Sequence, residues 1–280
     1  IDAMRRATAA LEAGNRVGTA LLTAVSHDLR TPLAGIKAAV SALNMDDMQL
    51  DDDSRALLLD TIETSTDRLE TVIGNLLDMS RVNSNAVAVH NSPVLYTNVV
   101  EAVRAELPEA TQHIDSFINA SVPPVLGDAG LVQRIIANIV INARTYAPHS
   151  RIELRAEQTA DTADAGGAGG AGGAGGSGGS GGTVQLAIID HGPGFPSEHL
   201  NDIFTPFQRL GDQTANTNGL GLGLAVARGF AEAMNGTLEA RETPGGGATL
   251  VLSLPKATGA LEDGEAPGVT KKEEGEQLAP

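Results

Sequence analysis

The chain reads as two parts of different class. An antiparallel helical hairpin, able to pair with a second copy into a four-helix bundle, comes first; an α/β domain follows. Three features predict this. Leu22, Leu29, Ile36 and Leu43 recur every seven residues, with Val25 between the first two, as on a helix packed in a bundle. A second stripe follows at spacings of four and three: Leu58, Ile62, Ser65, Leu69, Val72, Leu76 and Met79. After Arg81 the period changes, and short strand-like runs alternate with helical ones, the pattern of a sheet covered by helices.

The first helix is expected over about 8–43 and the second from about Ser54. The acidic stretch "NMDDMQLDDD" (44–53) joins them, and so short a link makes the pair antiparallel. One hairpin cannot bury both stripes, so a face including Leu22, Leu29, Leu69 and Leu76 is expected to be covered by a second copy. In the second part "VLYTNVV" is ambiguous, whereas "GDAGLVQRIIANIVINARTYA" is a helix opening at Asp128. "RIELRAE" and "TVQLAIID" read as strands on either side of "GGAGGAGGAGGSGGSGG" (166–182), a flexible insert. "TLEARE" and "ATLVLSLP" close the domain as strands. The expected divisions are a helical linker at 1–20, the hairpin at 21–85, the α/β domain at 86–256 and a disordered acidic tail at 257–280.

Composition bounds the function. A length of 280 residues suits two modest domains, and with 41% hydrophobic but only 2% aromatic residues the cores must be aliphatic. Thirty-five acidic residues against 19 basic ones give a net charge of −16, which argues against nucleic acid or an anionic membrane surface as partner. There is no cysteine, so there is no disulfide frame or thiolate metal site, and a reducing compartment is expected. No apolar run approaches the ~18 residues of a membrane helix. The chain begins at Ile1 rather than Met; it is expected to be a piece of a longer protein with a membrane anchor upstream.

Five motifs carry chemistry. The first is "SHDLRTP" (26–32). With Leu22 at position a of the heptad, His27 falls on the solvated side; Asp28 can hold its ring tautomer, Thr31 lies at i+4 on the same face, and Pro32 should bend the helix. Second, Val132, Ile135, Ile136, Ile139, Val140 and Ala143 form the buried stripe of the helix from Asp128, leaving Arg134, Asn138, Asn142 and Thr145 opposite. Two asparagines one turn apart can offer carboxamide oxygens to a hard cation such as Mg²⁺. Third, "AIIDHGPGF" runs a strand into Asp190, Gly192 and Gly194: a tight turn, with a carboxylate placed to accept from an exocyclic amine. Fourth, "IFTPFQRLGDQTANTN" is loop-like after Phe207, a natural lid. Fifth, in "GLGLGLAVARGFAEAM", Gly219, Leu220, Gly221, Leu222 and Gly223 run straight into a helix, presenting backbone N–H groups to phosphates.

In this order the motifs resemble the sensor histidine kinases of bacterial two-component systems, from about Ala24 to Pro255. The resemblance implies an α/β sandwich, a mixed sheet with helices on one face, binding ATP and Mg²⁺. It implies His27 as phosphoacceptor, Asp28 as its acid/base partner and Asn142 as Mg²⁺ ligand. Asn138, Tyr146 and Asp190 would line the nucleotide site, with Gly192, Gly194, Phe207 and the Gly219–Gly223 loop; Gly247 and Thr249 match the final strand, Thr249 near the adenine. Thr31 is implied in phosphatase activity. Where the family often has a lysine, this chain has Thr145, with Arg144 beside it as the alternative source of charge. "LLTAVSHDLRTPLAGIKAAVSAL", "NLLDMSRV" and the stretch from Pro206 to Gly247 are similar to the potassium- and osmotic-responsive Kdp branch of the family, particularly in actinobacteria. That branch implies a response-regulator partner, a homodimer, and the cytoplasmic portion of a cell-membrane protein. Competing readings are a kinase for another stimulus, an ATPase of the same nucleotide fold, and a degenerate dimeric scaffold. The ATPase needs a catalytic glutamate on the Asn helix, where "RIIANIVINA" has none.

Overall fold

A computed structural model of the chain describes residues 25–45, 50–159, 182–195, 199–200, 202–208 and 220–258. The linker 1–20, Leu22, Gly219, nearly all of the 166–182 insert and the tail from 259 lie outside the described residues.

Helix α1 covers 25–43 and α2 spans Asp52–Asn83. Helix α2 begins earlier than the expected Ser54 because Asp51 caps it, accepting from the Ser54 N–H at 2.8 Å, and Asp52 and Asp53 place negative charge on its first turn. Helix α1 stays helical through Pro32. The two helices approach closely at Gly35, where a Cβ would sit 3.1 Å from Ser65 Oγ. The open face of the hairpin differs from the expected one. Leu29, Leu69 and Leu76 are half-buried, while Leu33 (58% exposed), Val40, Leu59, Ile73 and Leu77 (56%) face outward. The reason for two of them is packing within the chain: Leu29 and Leu76 pack against the cluster that Val72 forms with Leu220 and Leu222 of the second domain.

The second domain runs β1 (Ser92–Val94), α3 (Tyr96–Glu106), α4 (Pro108–Thr111), β2 (Ile114–Ile118), β3 (Val125–Gly127), α5 (Ala129–Tyr146), β4 (Ile152–Gln158), β5 (Thr183–Asp190), α6 (Gly223–Ala233), β6 (Thr237–Glu242) and β7 (Ala248–Pro255), with a 3-10 turn at Asp202–Phe204. The ambiguous "VLYTNVV" enters helix α3, which buries Tyr96, Val99, Val100 and Val103. The main sheet has the order β2-β4-β5-β7-β6; β2 and β4 are parallel and every other pair antiparallel. Strands β1 and β3 form a separate antiparallel pair.

Alternation decides which face is covered. Ile152 and Leu154 of β4, Val184, Leu186 and Ile188 of β5, and Leu250, Leu252 and Leu254 of β7 all point to one side and are nearly inaccessible. Helices α3, α5 and α6 cover that side, contributing Val103, Ile135, Ile139, Val226 and Phe230 to one continuous core. Glu153, Arg155 and Gln185 lie at the alternate positions, opposite the helices. The result is the expected mixed sheet with helices on one face.

Candidate nucleotide and phosphoacceptor sites

The phosphoacceptor motif sits on the outside of α1. The His27 side chain is 77% exposed and its Nδ1 lies 3.1 Å from Asp28 Oδ1, whose side chain is 11% exposed. With Nδ1 protonated, the ring donates to the carboxylate and turns the Nε2 lone pair to solvent. The Thr31 hydroxyl, one turn on, donates to the His27 carbonyl at 3.3 Å.

A cavity of about 350 Å³ opens between α5, the end of β5 and the start of α6, within the size range of small-molecule sites. Asn138, Asn142, Thr145 and Tyr146 face it from α5, and Asp190 and Gly194 from the turn after β5. Leu220, Gly221, Leu222 and Gly223 close the far side. These are the residues that a buried stripe on the other side of α5 leaves free to point at a ligand. Helix α6 begins at Gly223 without a side-chain cap, so the N–H groups of its first turn are available to an anion at the positive end of the helix.

Backbone close approach explains two of the glycine clusters. Gly194 (φ 72°) and Gly247 (φ 107°) interlock: a Cβ on Gly194 would lie 2.5 Å from the Gly247 carbonyl oxygen, and one on Gly247 would overlap that of Asp190. Gly221 (φ 65°) passes within 2.8 Å, measured from its would-be Cβ, of the Gln208 carbonyl oxygen. Asp190 Oδ1 accepts from the Gly192 N–H at 2.9 Å. The turn therefore fixes the carboxylate and leaves Oδ2 for an amine.

Four expected site residues do not line the cavity. Arg144 is turned away from the cavity: its Nε donates to the Ala110 carbonyl at 2.7 Å and its Nη1 to the Ser150 carbonyl at 2.7 Å, bracing the end of α5. One step along a helix is about 100°, enough to take it off the Asn138–Asn142 face. Thr249 also points away, because neighbouring strand residues face opposite sides; Ala248 lines the cavity, while the Thr249 hydroxyl pairs with that of Thr243 at 2.9 Å. Phe207 packs with Val72, Leu220 and Leu222 in a small apolar cluster between the two domains, and Gln208 takes its place on the wall. Gly192 shapes the Asp190 turn without lining the cavity.

The sequence reading missed the contribution of α2. Thr71 and Asn75 contribute to the cavity wall. Lower on the same helix, Asp78 (2% exposed) forms a fork with Arg134 of α5, Nη1 to Oδ1 at 3.0 Å and Nη2 to Oδ2 at 2.6 Å. Burial pushes the Asp78 carboxyl up, against the pull of Arg134 and Arg81. The linker after α2 is also tied down. Asp128 caps α5 through the N–H groups of Gly130 and Leu131, and its other oxygen accepts from the His90 N–H at 2.9 Å. Burial raises the Asp128 carboxyl, but these three backbone donors together with the nearby His90 ring hold it below its usual range.

Among the described residues no cluster of three or more His, Cys or acidic side chains could hold a metal. No Lys or Arg is on the described cavity wall either. A cation there would take side-chain oxygens of the wall, such as the Asn138 or Asn142 carboxamide, together with oxygens of the ligand. That suits a hard ion such as Mg²⁺, which is bound together with phosphates.

Residues 127–258 match the family described as histidine kinase-, DNA gyrase B-, and HSP90-like ATPase, and residues 19–85 match the His Kinase A (phospho-acceptor) domain. With both domains in that order, the chain belongs to the histidine kinases. It is 37% identical over 254 residues to sensor protein KdpD of Mycobacterium tuberculosis (strain ATCC 25618 / H37Rv), covering 88% of this chain and 27% of that protein. It is 36% identical over 246 residues to sensor protein KdpD of Rathayibacter rathayi, covering 87% and 26%. The chain thus spans about a quarter of the length of these relatives. In fold it matches the Acinetobacter baumannii histidine kinase AdeS, with a TM-score of 0.58 and 19% identity over 83% of this chain and 98% of that one. It also matches histidine kinase ThkA, solved in complex with response regulator protein TrrA, with a TM-score of 0.58 and 16% identity over 87% and 64%.

Proposed function

We propose that the chain is an ATP-dependent autokinase: the γ-phosphoryl of ATP held in the cavity passes to His27 and then to an aspartate of a separate response regulator. The observation that carries this reading is His27 itself, exposed, with its Nδ1 beside a nearly buried carboxylate. Asp28 accepts from Nδ1–H and thereby selects the neutral tautomer in which Nε2, the attacking atom, carries the lone pair and points outward. Asn142 would hold Mg²⁺, which neutralises phosphate charge when bound; Asp190 Oδ2 accepts from the adenine amine, Tyr146 stacks at the rim, and the first turn of α6 receives phosphate oxygens. Phosphoryl transfer needs positioning and charge neutralisation more than covalent help, and these residues supply positioning. In the same reading Thr31 orients the water that hydrolyses the regulator's phospho-aspartate, two copies of the chain pair through their hairpins, and the chain is the cytoplasmic portion of a membrane-anchored sensor. Among the described residues no helix is long and apolar enough to cross a membrane. Potassium or osmotic signalling is supported by the stretches similar to the Kdp branch and by the identity to the KdpD sensor proteins. The test is Asn142→Ala. Because Asn142 faces the cavity and not the core, the fold and thermal midpoint should hold while Mg²⁺-dependent labelling from γ-labelled ATP is lost. Labelling at near wild-type rate would remove Asn142 from the metal site.

A further inference from the structure

The wall that α2 lends to the cavity is built, not incidental. Thr71, Asn75, Asp78 and Val82 follow at spacings of four, three and four, so they share one face of the helix. Three contacts press that face onto the second domain. Asp78 forks to Arg134. Val82 meets Gly229 of α6, where a Cβ would lie 2.4 Å from Val82 Cγ1, so only glycine permits the approach. Val72, the other buried residue of α2, packs on Leu220 and Leu222. These two leucines flank Gly221, so α2 reaches the phosphate-facing end of the cavity. There its two cavity residues differ. The Thr71 hydroxyl is committed to its own helix, donating to the Asp67 carbonyl at 2.9 Å. The Asn75 carboxamide has no hydrogen-bond partner among the described residues, and it offers both donors and an acceptor.

We propose that Asn75 is a nucleotide-contact residue supplied by the phosphoacceptor hairpin, its amide donating to the phosphates, so that the cavity is complete only while α2 is docked. The proposal rests on the reading of the cavity as an ATP site. Bound nucleotide and docking then reinforce each other, because whatever favours one favours the other by the same factor. The Asp78–Arg134 fork is the positioning element: it touches no ligand but holds Asn75 at the wall.

Calorimetry with a non-hydrolysable ATP analogue and Mg²⁺ on the full chain tests this. Asn75→Ala should weaken binding by about tenfold to a hundredfold, the range of one lost hydrogen bond to a charged group. Asn75→Asp, nearly isosteric, should weaken it further, since a carboxylate repels phosphate; a merely structural role would not rank the three residues this way. Asp78→Asn should also weaken binding, and adding Asn75→Ala to it should cost little more, because the wall is already loose. Wild-type affinity in Asn75→Ala, or losses that simply add in the double variant, would overturn the proposal. An unmutated chain that fails to bind the analogue would instead overturn the nucleotide reading beneath it.

Discussion

Helix α5 buries seven residues, all apolar and all within its own domain, whereas the longer α2 buries only two, Val72 and Asp78, and buries both against the other domain. The contrast extends to the parts they belong to. The α/β domain closes its core internally, with Ile152, Leu186, Leu252 and Leu254 essentially inaccessible between sheet and helices. The hairpin leaves Leu33, Leu59, Ile73 and Leu77 in the open and relies on what packs against it. One part is a finished scaffold for a site; the other is shaped by its partners. That difference suits the function proposed above, in which the hairpin meets ATP, a second copy and a regulator in turn.

The largest expected effect comes from damage to the closed part. Leu186→Ala, at the centre of β5, should destabilise the α/β domain by about 2–5 kcal/mol, read as a fall in its thermal or denaturant midpoint. Leu77→Glu should leave that transition within about 0.5 kcal/mol yet convert a dimer to a monomer in sedimentation. A wild-type chain that is already monomeric at micromolar concentration would break the comparison, since nothing else would cover the open face.

A smaller, more selective effect is expected at Thr31. Its hydroxyl bonds to the His27 carbonyl in the middle of a continuous helix. Thr31→Ala should therefore still label His27 while losing dephosphorylation of the regulator. If the hydroxyl serves only the backbone, both rates should drop together with helix stability, by about 1 kcal/mol. Measuring both rates and the thermal midpoint on one preparation separates the outcomes, and full phosphatase activity in the variant would remove Thr31 from that role.

The smallest effect is expected from the glycine-rich insert. Strands β4 and β5 pair directly from Ile152↔Asp190 to Gln158↔Val184. Deleting 168–180 should leave activity nearly unchanged, because shortening a loop alters closure entropy only slightly. A large loss of ATP affinity on deletion would show that the insert reaches the site.

What could be read from the sequence follows the same division. "TLEARE", "ATLVLSLP" and "TVQLAIID" match β6, β7 and β5 residue for residue, because one buried face imposes strict alternation. The buried stripe of α5 was equally plain, and it left Asn138 and Asn142 facing the cavity. Direction within an element was harder. Arg144 and Thr249 sit next to cavity residues in sequence but point elsewhere, one by a helical step and the other by strand alternation. The family resemblance puts Phe207 at the nucleotide site, whereas contact with the hairpin makes it part of an apolar seam. Asn75 and Asp78 left no trace, since a polar stripe on a helix looks the same whether it faces water or another domain.

The most direct test of the account is where the phosphoryl group goes. The full chain, incubated with γ-labelled ATP and Mg²⁺, should acquire label that is lost in acid and survives base, as a phosphohistidine does. Peptide mapping should place it on His27, and His27→Gln should abolish it without changing nucleotide affinity. Label that survives acid, maps to another residue or persists in His27→Gln would contradict the account.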